Sequence, residues 1–284
     1  YYGHAKSEIL LEKLPEEQNV ACQIFGSKEI EIAFAAKKVD SLGRFVELNL
    51  NAGCPMAKVT RSGSGAKLAE DPAKVHKLMK AMKENTSLPV SLKTRLGPRP
   101  DKVTVFELIS AAESAGASSV VLHGRFTSQM HSGSVDFDLV SEAVSKSAIP
   151  IIGNGSVISR ASVEEFRRTG VAGVMIGRAA MSRPSIFSEL KNEAPMISGD
   201  SLDHCIEHLG HIIKFQKYLA GRYKFALSLD AYSSIKMHTH LFRYFNARPG
   251  AAQLRARLNK VRTLREILDE ISRFRDVESL RCFQ

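Results

Sequence analysis

The chain has 284 residues, 44% of them hydrophobic, enough for a substantial core plus a smaller second domain. No apolar run approaches the roughly 18 residues of a membrane span, no secretory pattern is read, and the scattered Cys22, Cys54, Cys205 and Cys282 form neither a disulfide framework nor a metal-ligand spacing, which points to the reducing cytoplasm. Forty basic against thirty acidic residues give a formal charge of +10, which suits a polyanionic partner.

Strand-like apolar runs then alternate with helical patterns. Strands are predicted at residues 19–25, 44–50, 89–93, 119–123, 149–153 and 173–177, and helices at 29–39, 72–83, 103–115, 137–144 and 161–168. Near-continuous apolar strands alternating with amphipathic helices mean a parallel sheet covered by helices. Six strands are read where a closed (β/α)8 barrel needs eight. The sequence opens on Tyr1-Tyr2, so the first two strands are expected upstream of this numbering. An open doubly wound sheet is the competing architecture.

In a barrel, chemistry sits where strands end, because the βα loops build the site there. Gln23 ends the first strand, and its amide offers both a donor and an acceptor. Asn51-Ala52-Gly53-Cys54-Pro55 follows the second, placing a thiol on a glycine-proline turn. An isolated cysteine is most often a small buried hydrophobe, so Cys54 gains weight from the motifs that follow it. Lys93-Thr94-Arg95 ends the third strand; alternation points both cations to one side, toward an electron-rich group or phosphate. A salt-bridged structural pair is the alternative.

His123-Gly124-Arg125 ends the fourth strand and offers hydrogen bonds to an anion. Gly153-Asn154-Gly155-Ser156 and Gly177-Arg178 end the fifth and sixth. Counted as barrel strands seven and eight, these are where such folds hold a phosphate. Glycine lets backbone amides approach the anion, and arginine can fork onto its oxygens.

The alternation stops after Phe187, and residues 192–200 read as a linker of turn formers. Helices are predicted at 202–219, 225–245 and 251–274, the last carrying a stripe of Leu254, Leu258, Val261, Leu264, Leu268 and Ile271. The expected domains are therefore a barrel over 1–192 and a helical domain over 200–284.

This ordered set of motifs, including Lys58-Val59 and Gly63-Ser64-Gly65-Ala66, resembles the tRNA-dihydrouridine synthases over about residues 19–190. Ala179-Ala180-Met181 and Pro184-Ser185-Ile186-Phe187 are most similar to the eukaryotic branch that modifies position 20. The resemblance implies a (β/α)8 barrel that binds FMN, uses NADPH as reductant and reduces a uridine in tRNA. It implies Cys54 as general acid. Gln23, Lys93, His123, Asn154, Gly155, Ser156, Gly177 and Arg178 would be cofactor contacts, and Asn51, Arg95 and Arg125 contacts to the target uridine. No metal is implied, and a monomer is expected. The family's Pro-Met strand has no counterpart here, and the loop 126–135 departs from its pattern.

The proposed chemistry stands on its own logic. Hydride added at uracil C6 leaves electron density at C5, where a nearby acid must deliver a proton. An ordinary thiol, of pKa about 8.5, is mostly protonated at neutral pH and can do so. In the helical part, Lys236, His238, His240, Arg243 and Arg248, interleaved with Phe242, Tyr244 and Phe245, read as an RNA-binding face. Arg255, Arg257, Lys260, Arg262 and Arg265 read as its continuation. Two alternatives stay open: a flavin barrel acting on a free pyrimidine such as dihydroorotate, and a non-catalytic RNA-binding protein.

Overall fold

The computed structural model describes residues 8–181, 183–192, 201–224, 228–245 and 250–281. The chain divides into two compact units. The first holds residues up to Leu11 and Pro15–Gly177; the second holds Glu12–Leu14 and everything from Arg178.

The first unit is a run of βα repeats. In chain order these are β1 (Ala21–Ile24), α1 (Glu29–Ser41), β2 (Glu47–Asn51), the short α2 (Ala57–Thr60), α3 (Pro72–Lys83), β3 (Val90–Arg95) and α4 (Val105–Ser114). They continue with β4 (Ser119–His123), α5 (Phe137–Lys146), β5 (Ile151–Asn154), α6 (Arg160–Arg168) and β6 (Gly173–Met175). All six strands are parallel and hydrogen-bonded in sequence order, the arrangement of a partial (β/α)8 barrel. Helices α3 and α5 begin where the sequence supplies a side-chain cap. Asp71, followed by Pro72, accepts from Lys74 N at 3.0 Å, and Asp136 accepts from Leu139 N at 2.9 Å.

Register assigns each face of the sheet a chemistry. Leu48, Leu50, Val90, Leu92, Val120 and Leu122 share the outer face and are buried against Ile32, Val39, Leu78, Met79, Leu108 and Val140 of the helices. Each such side chain contributes about 1.5–3 kcal/mol on burial. Because side chains alternate, the partners of these residues point inward. The inner face therefore carries Gln23, Glu47, Asn49, Asn51, Ser91, Lys93, Arg95, His123 and Asn154.

The second unit is helical: α7 (Ile186–Asn192), α8 (Ser201–Ala220), α9 (Leu229–Tyr244), α10 (Ala251–Leu258) and α11 (Leu264–Arg281). Tyr218 and Tyr223 donate to the Glu12 carboxylate at 3.2 and 2.8 Å, which ties the Glu12 segment to this unit. The helix expected over 251–274 is two helices. Thr263 Oγ1 accepts from Glu266 N at 3.2 Å while Thr263 N donates to Glu266 Oε2 at 3.0 Å, a reciprocal cap that starts α11 afresh. The expected linker over 193–200, the start of the helix expected from 225 and Arg248 lie outside the described residues.

Candidate active site at the carboxyl ends of the strands

The thiol turn is held at three points. Asn51 Oδ1 accepts from the backbone amides of Gly53 and Cys54 at 3.1 and 3.0 Å. Arg95 Nε donates to Gly53 O at 2.8 Å. Ala66 N donates to Cys54 O at 2.9 Å. The last bond requires glycine beside it: Gly65 has φ +60°, and a Cβ there would lie 2.6 Å from Cys54 O. Cys54 itself is half-buried, whereas Cys22 and Cys205 are buried.

Arg95 is 2% exposed, and besides Gly53 O it donates to Phe126 O at 3.1 Å. Its guanidinium thus couples the thiol turn to the loop after β4. Lys93, on the same face, donates from Nζ to Asn154 Oδ1 at 3.1 Å, and Asn154 Nδ2 donates onward to Met175 O at 2.8 Å. Burial first, and the neighbouring Arg95 second, push the Lys93 ammonium down to about 8, opposed by Cys54. Among the described residues no carboxylate pairs with Lys93. A cation in that setting favours an electron-rich partner.

His123 is buried, and Arg125 donates to its Nε2 at 3.3 Å. A guanidinium has donors alone, so Nε2 accepts and Nδ1 carries the ring proton. Burial, then Arg95, Lys93, Arg125 and His131, push His123 down to about 2, leaving it neutral at working pH. Arg125, 4% exposed, also donates to Gly133 O from Nε and NH2 at 3.0 and 2.8 Å, and from NH2 to Ser156 Oγ at 2.7 Å. Gly155 has φ +123°, and a Cβ there would lie 2.8 Å from His123 Cδ2.

Gln23, Asn51, Lys93, Arg95, His123, Asn154 and the Cys54 turn therefore lie on or directly after one face of one sheet. Arg125, Gly155 and Ser156 are bonded or packed to that group. Gly177 is exposed, with nothing within 4 Å of where a Cβ would stand, and Arg178, also exposed, opens a 3₁₀ turn in the second unit. Sequence reasoning missed Glu47, Asn49 and Ser91. The alternation of Glu47-Leu48-Asn49-Leu50-Asn51 carried that signal.

In the second unit, Tyr244 and Phe245 are buried beside Met237, Leu241 and Ile271, so the expectation that they interleave an RNA-binding face is corrected. Spacing explains it, since 237, 241 and 244 form one helical stripe facing the core. Phe242's side chain lies outside the described residues. His238 lies within 2.7 Å of Ser234 O and 2.8 Å of Leu258 O, and burial lowers His240. Arg257 pairs with Glu270 at 2.6 Å, and Arg262 NH1 donates to Asn259 O and Val261 O at 2.8 and 2.9 Å. Arg243, Lys260 and Arg265 are exposed. Among the described residues no helix is long and apolar enough to cross a membrane.

A polar inner wall ending in a thiol and an ammonium that meets no carboxylate among the described residues puts the protein among βα-barrel enzymes that act at the carboxyl-terminal mouth on a bound organic group. A family model described as dihydrouridine synthase matches residues 2–278. A probable tRNA-dihydrouridine synthase of Helicobacter pylori is 32% identical over 246 residues, covering 85% of this chain and 74% of that protein. Probable tRNA-dihydrouridine synthase 1 of Synechocystis is 29% identical over 268 residues, covering 90% and 71%. The tRNA-dihydrouridine synthase B of Klebsiella pneumoniae is 32% identical over 191 residues, covering 66% and 58%. The chain belongs to the dihydrouridine synthase family, whose members are flavin-dependent oxidoreductases.

Proposed function

We propose that this chain reduces the C5=C6 bond of a uridine in tRNA, with FMN bound at the barrel mouth, NADPH as reductant and Cys54 as general acid. The observation that carries the reading is the half-buried Lys93 ammonium, paired with no carboxylate among the described residues, on the same inner face as the residues that hold the Cys54 turn. Those residues fit a flavin. Lys93 offers positive charge, Gln23 keeps one amide hydrogen and one lone pair, and His123 offers an Nδ1–H donor. Asn154, Gly155, Ser156 and Gly177 would hold the phosphate.

When bound, FMN supplies the hydride to uracil C6 and NADPH recharges it. Cys54 Sγ gives its proton to C5 as negative charge develops there. Asn51 fixes the Cys54 amide and presents its remaining Nδ2 hydrogen to the pyrimidine. Lys93 Nζ holds positive charge beside the reacting rings. Arg95 and Arg125 act by holding the 53–54 and 126–133 segments in place, their donors being directed to Gly53, Phe126 and Gly133 carbonyls. The target base must leave its stack to reach such a mouth.

The helical unit over 200–284 would take tRNA phosphates on Arg243, Lys260 and Arg265. Charge reversal at Lys260 and Arg265 weakens tRNA binding and flattens its salt dependence; unchanged affinity excludes this surface. The motifs around Ala179 and Pro184 support the position-20 branch.

The test is mass spectrometry of nucleosides from unmodified tRNA incubated with the flavin-loaded protein and NADPH. Dihydrouridine is the expected product. A protein that holds flavin and oxidises NADPH yet leaves tRNA unchanged, or turns over free uracil or orotate instead, contradicts the assignment.

A further inference from the structure

A hydrogen-bond chain runs down the inner face from the thiol turn. The amides of Gly53 and Cys54 donate to Asn51 Oδ1 at 3.1 and 3.0 Å. Asn51 Nδ2 donates to Gln23 Oε1 at 2.9 Å, and Gln23 Nε2 to Asn49 Oδ1 at 2.8 Å. Asn49 Nδ2 donates to Ser91 Oγ at 2.7 Å, and Ser91 donates to the Glu47 carboxylate. The chain begins at the carboxyl end of β2 and finishes at Glu47, the first residue of that strand, using β1 and β3 on the way.

Every bond points the same way, and chemistry fixes that direction at both ends. Backbone N–H groups can only donate, so Asn51 must turn its oxygen to them and its nitrogen to Gln23. An ionised carboxylate can only accept, so Ser91 must give its hydrogen to Glu47 and receive from Asn49. The two requirements meet at Gln23 without conflict. An amide side chain presents two nearly equivalent faces; here each has one orientation consistent with both ends. Aligned bonds also polarise one another.

We infer that Glu47 is a positioning residue for the uridine-reducing reaction: its carboxylate terminates the chain that sets the amide orientations of Gln23 and Asn51 and so fixes the Cys54 turn. This deepens, and rests on, the functional reading above. The consequence is specific. Asn51 is left with one donor for the pyrimidine, its oxygen being filled by two amides, while Gln23 is left with one donor and one acceptor. Without the acceptor at position 47, nothing holds the Ser91 hydrogen away from Asn49. A flip along the chain would set Asn51 Nδ2 against the Gly53 and Cys54 N–H groups, so the amides cannot all be satisfied and the Cys54 turn loses order with them.

The test compares Glu47→Gln, which keeps an acceptor oxygen and the shape, with Glu47→Leu, which keeps neither. Ser91→Ala breaks the chain mid-way while leaving the carboxylate, should Glu47→Leu fail to fold. Two readouts are taken on folded variants. The first is the rate of Cys54 alkylation by iodoacetamide in flavin-free protein, read on the Cys54 peptide by mass spectrometry. The second is the split between kcat and KM for tRNA in the loaded enzyme.

Glu47→Leu and Ser91→Ala should alkylate several-fold faster and lose up to about a hundredfold in kcat with KM little changed, the scale of a displaced reacting group. Glu47→Gln should track wild type in both. Wild-type alkylation and kcat in folded Glu47→Leu and Ser91→Ala overturn the inference. So does Glu47→Gln behaving like Glu47→Leu, which would make charge, not acceptance, the point. If wild type forms no dihydrouridine, the functional reading fails, and the alkylation rates still decide whether Glu47 orders the turn.

Discussion

The two faces of the six-stranded sheet use the same strands for opposite purposes. On the outer face, Leu48, Leu50, Leu92 and Leu122 are fully buried against helices and carry no hydrogen-bonding side chain. On the inner face, Gln23, Asn49, Asn51, Ser91, Lys93 and Asn154 are joined by directed hydrogen bonds and leave specific groups over for a ligand. The difference teaches that stability and chemistry are separated here by a single-residue alternation. Substitutions on one face should unfold the protein without altering its chemistry, and substitutions on the other should do the reverse.

The sharpest break of that symmetry is Lys93→Met. Removing the inner-face cation should lower kcat about 10²–10³-fold, the scale of one lost charge-stabilising group, with the melting temperature held or raised. Wild type should also bind flavin more weakly as pH rises through about 8, because the free ammonium loses its proton there and binding must restore it. Lys93→Met should lack that pH dependence, which titration of flavin into apoprotein would read. On the outer face, Leu50→Ala should cost about 2–5 kcal/mol in denaturant unfolding while the folded fraction keeps its kcat.

Gly155→Ala tests a position where both requirements coincide. Its φ of +123° and the His123 ring 2.8 Å from the new Cβ should cost about 1–3 kcal/mol of stability and also weaken flavin binding. The smallest effect belongs to the helical unit. Thr263→Ala removes one half of the cap on α11 and should cost about 1 kcal/mol without touching turnover. Equal losses of turnover and stability in all four variants would erase the distinction between the faces.

The outer face was largely legible in the sequence, because long apolar strands and helical stripes report burial directly. The strand ends were legible too, since glycine, asparagine and cysteine cluster there for geometric reasons. Glu47, Asn49 and Ser91 were not singled out, because their meaning depends on which residue each strand pairs with, and register is a tertiary property. Arg95 and Arg125 read as ligand contacts from their charge. Their directed bonds to backbone carbonyls could be seen only once the loops were folded over them. In the helical unit, the Thr263-Leu264-Arg265-Glu266 cap was written in the sequence but hidden by an apolar stripe that runs across the break.

The central claim is that the Cys54 thiol completes a reduction for which the rest of the inner face supplies cofactor and orientation. The most direct measurement is a single-turnover experiment with flavin-loaded Cys54→Ala. The variant should keep its flavin spectrum and be reduced by NADPH at the wild-type rate, then fail to convert unmodified tRNA to dihydrouridine-containing tRNA. Wild-type conversion in that variant would contradict the claim.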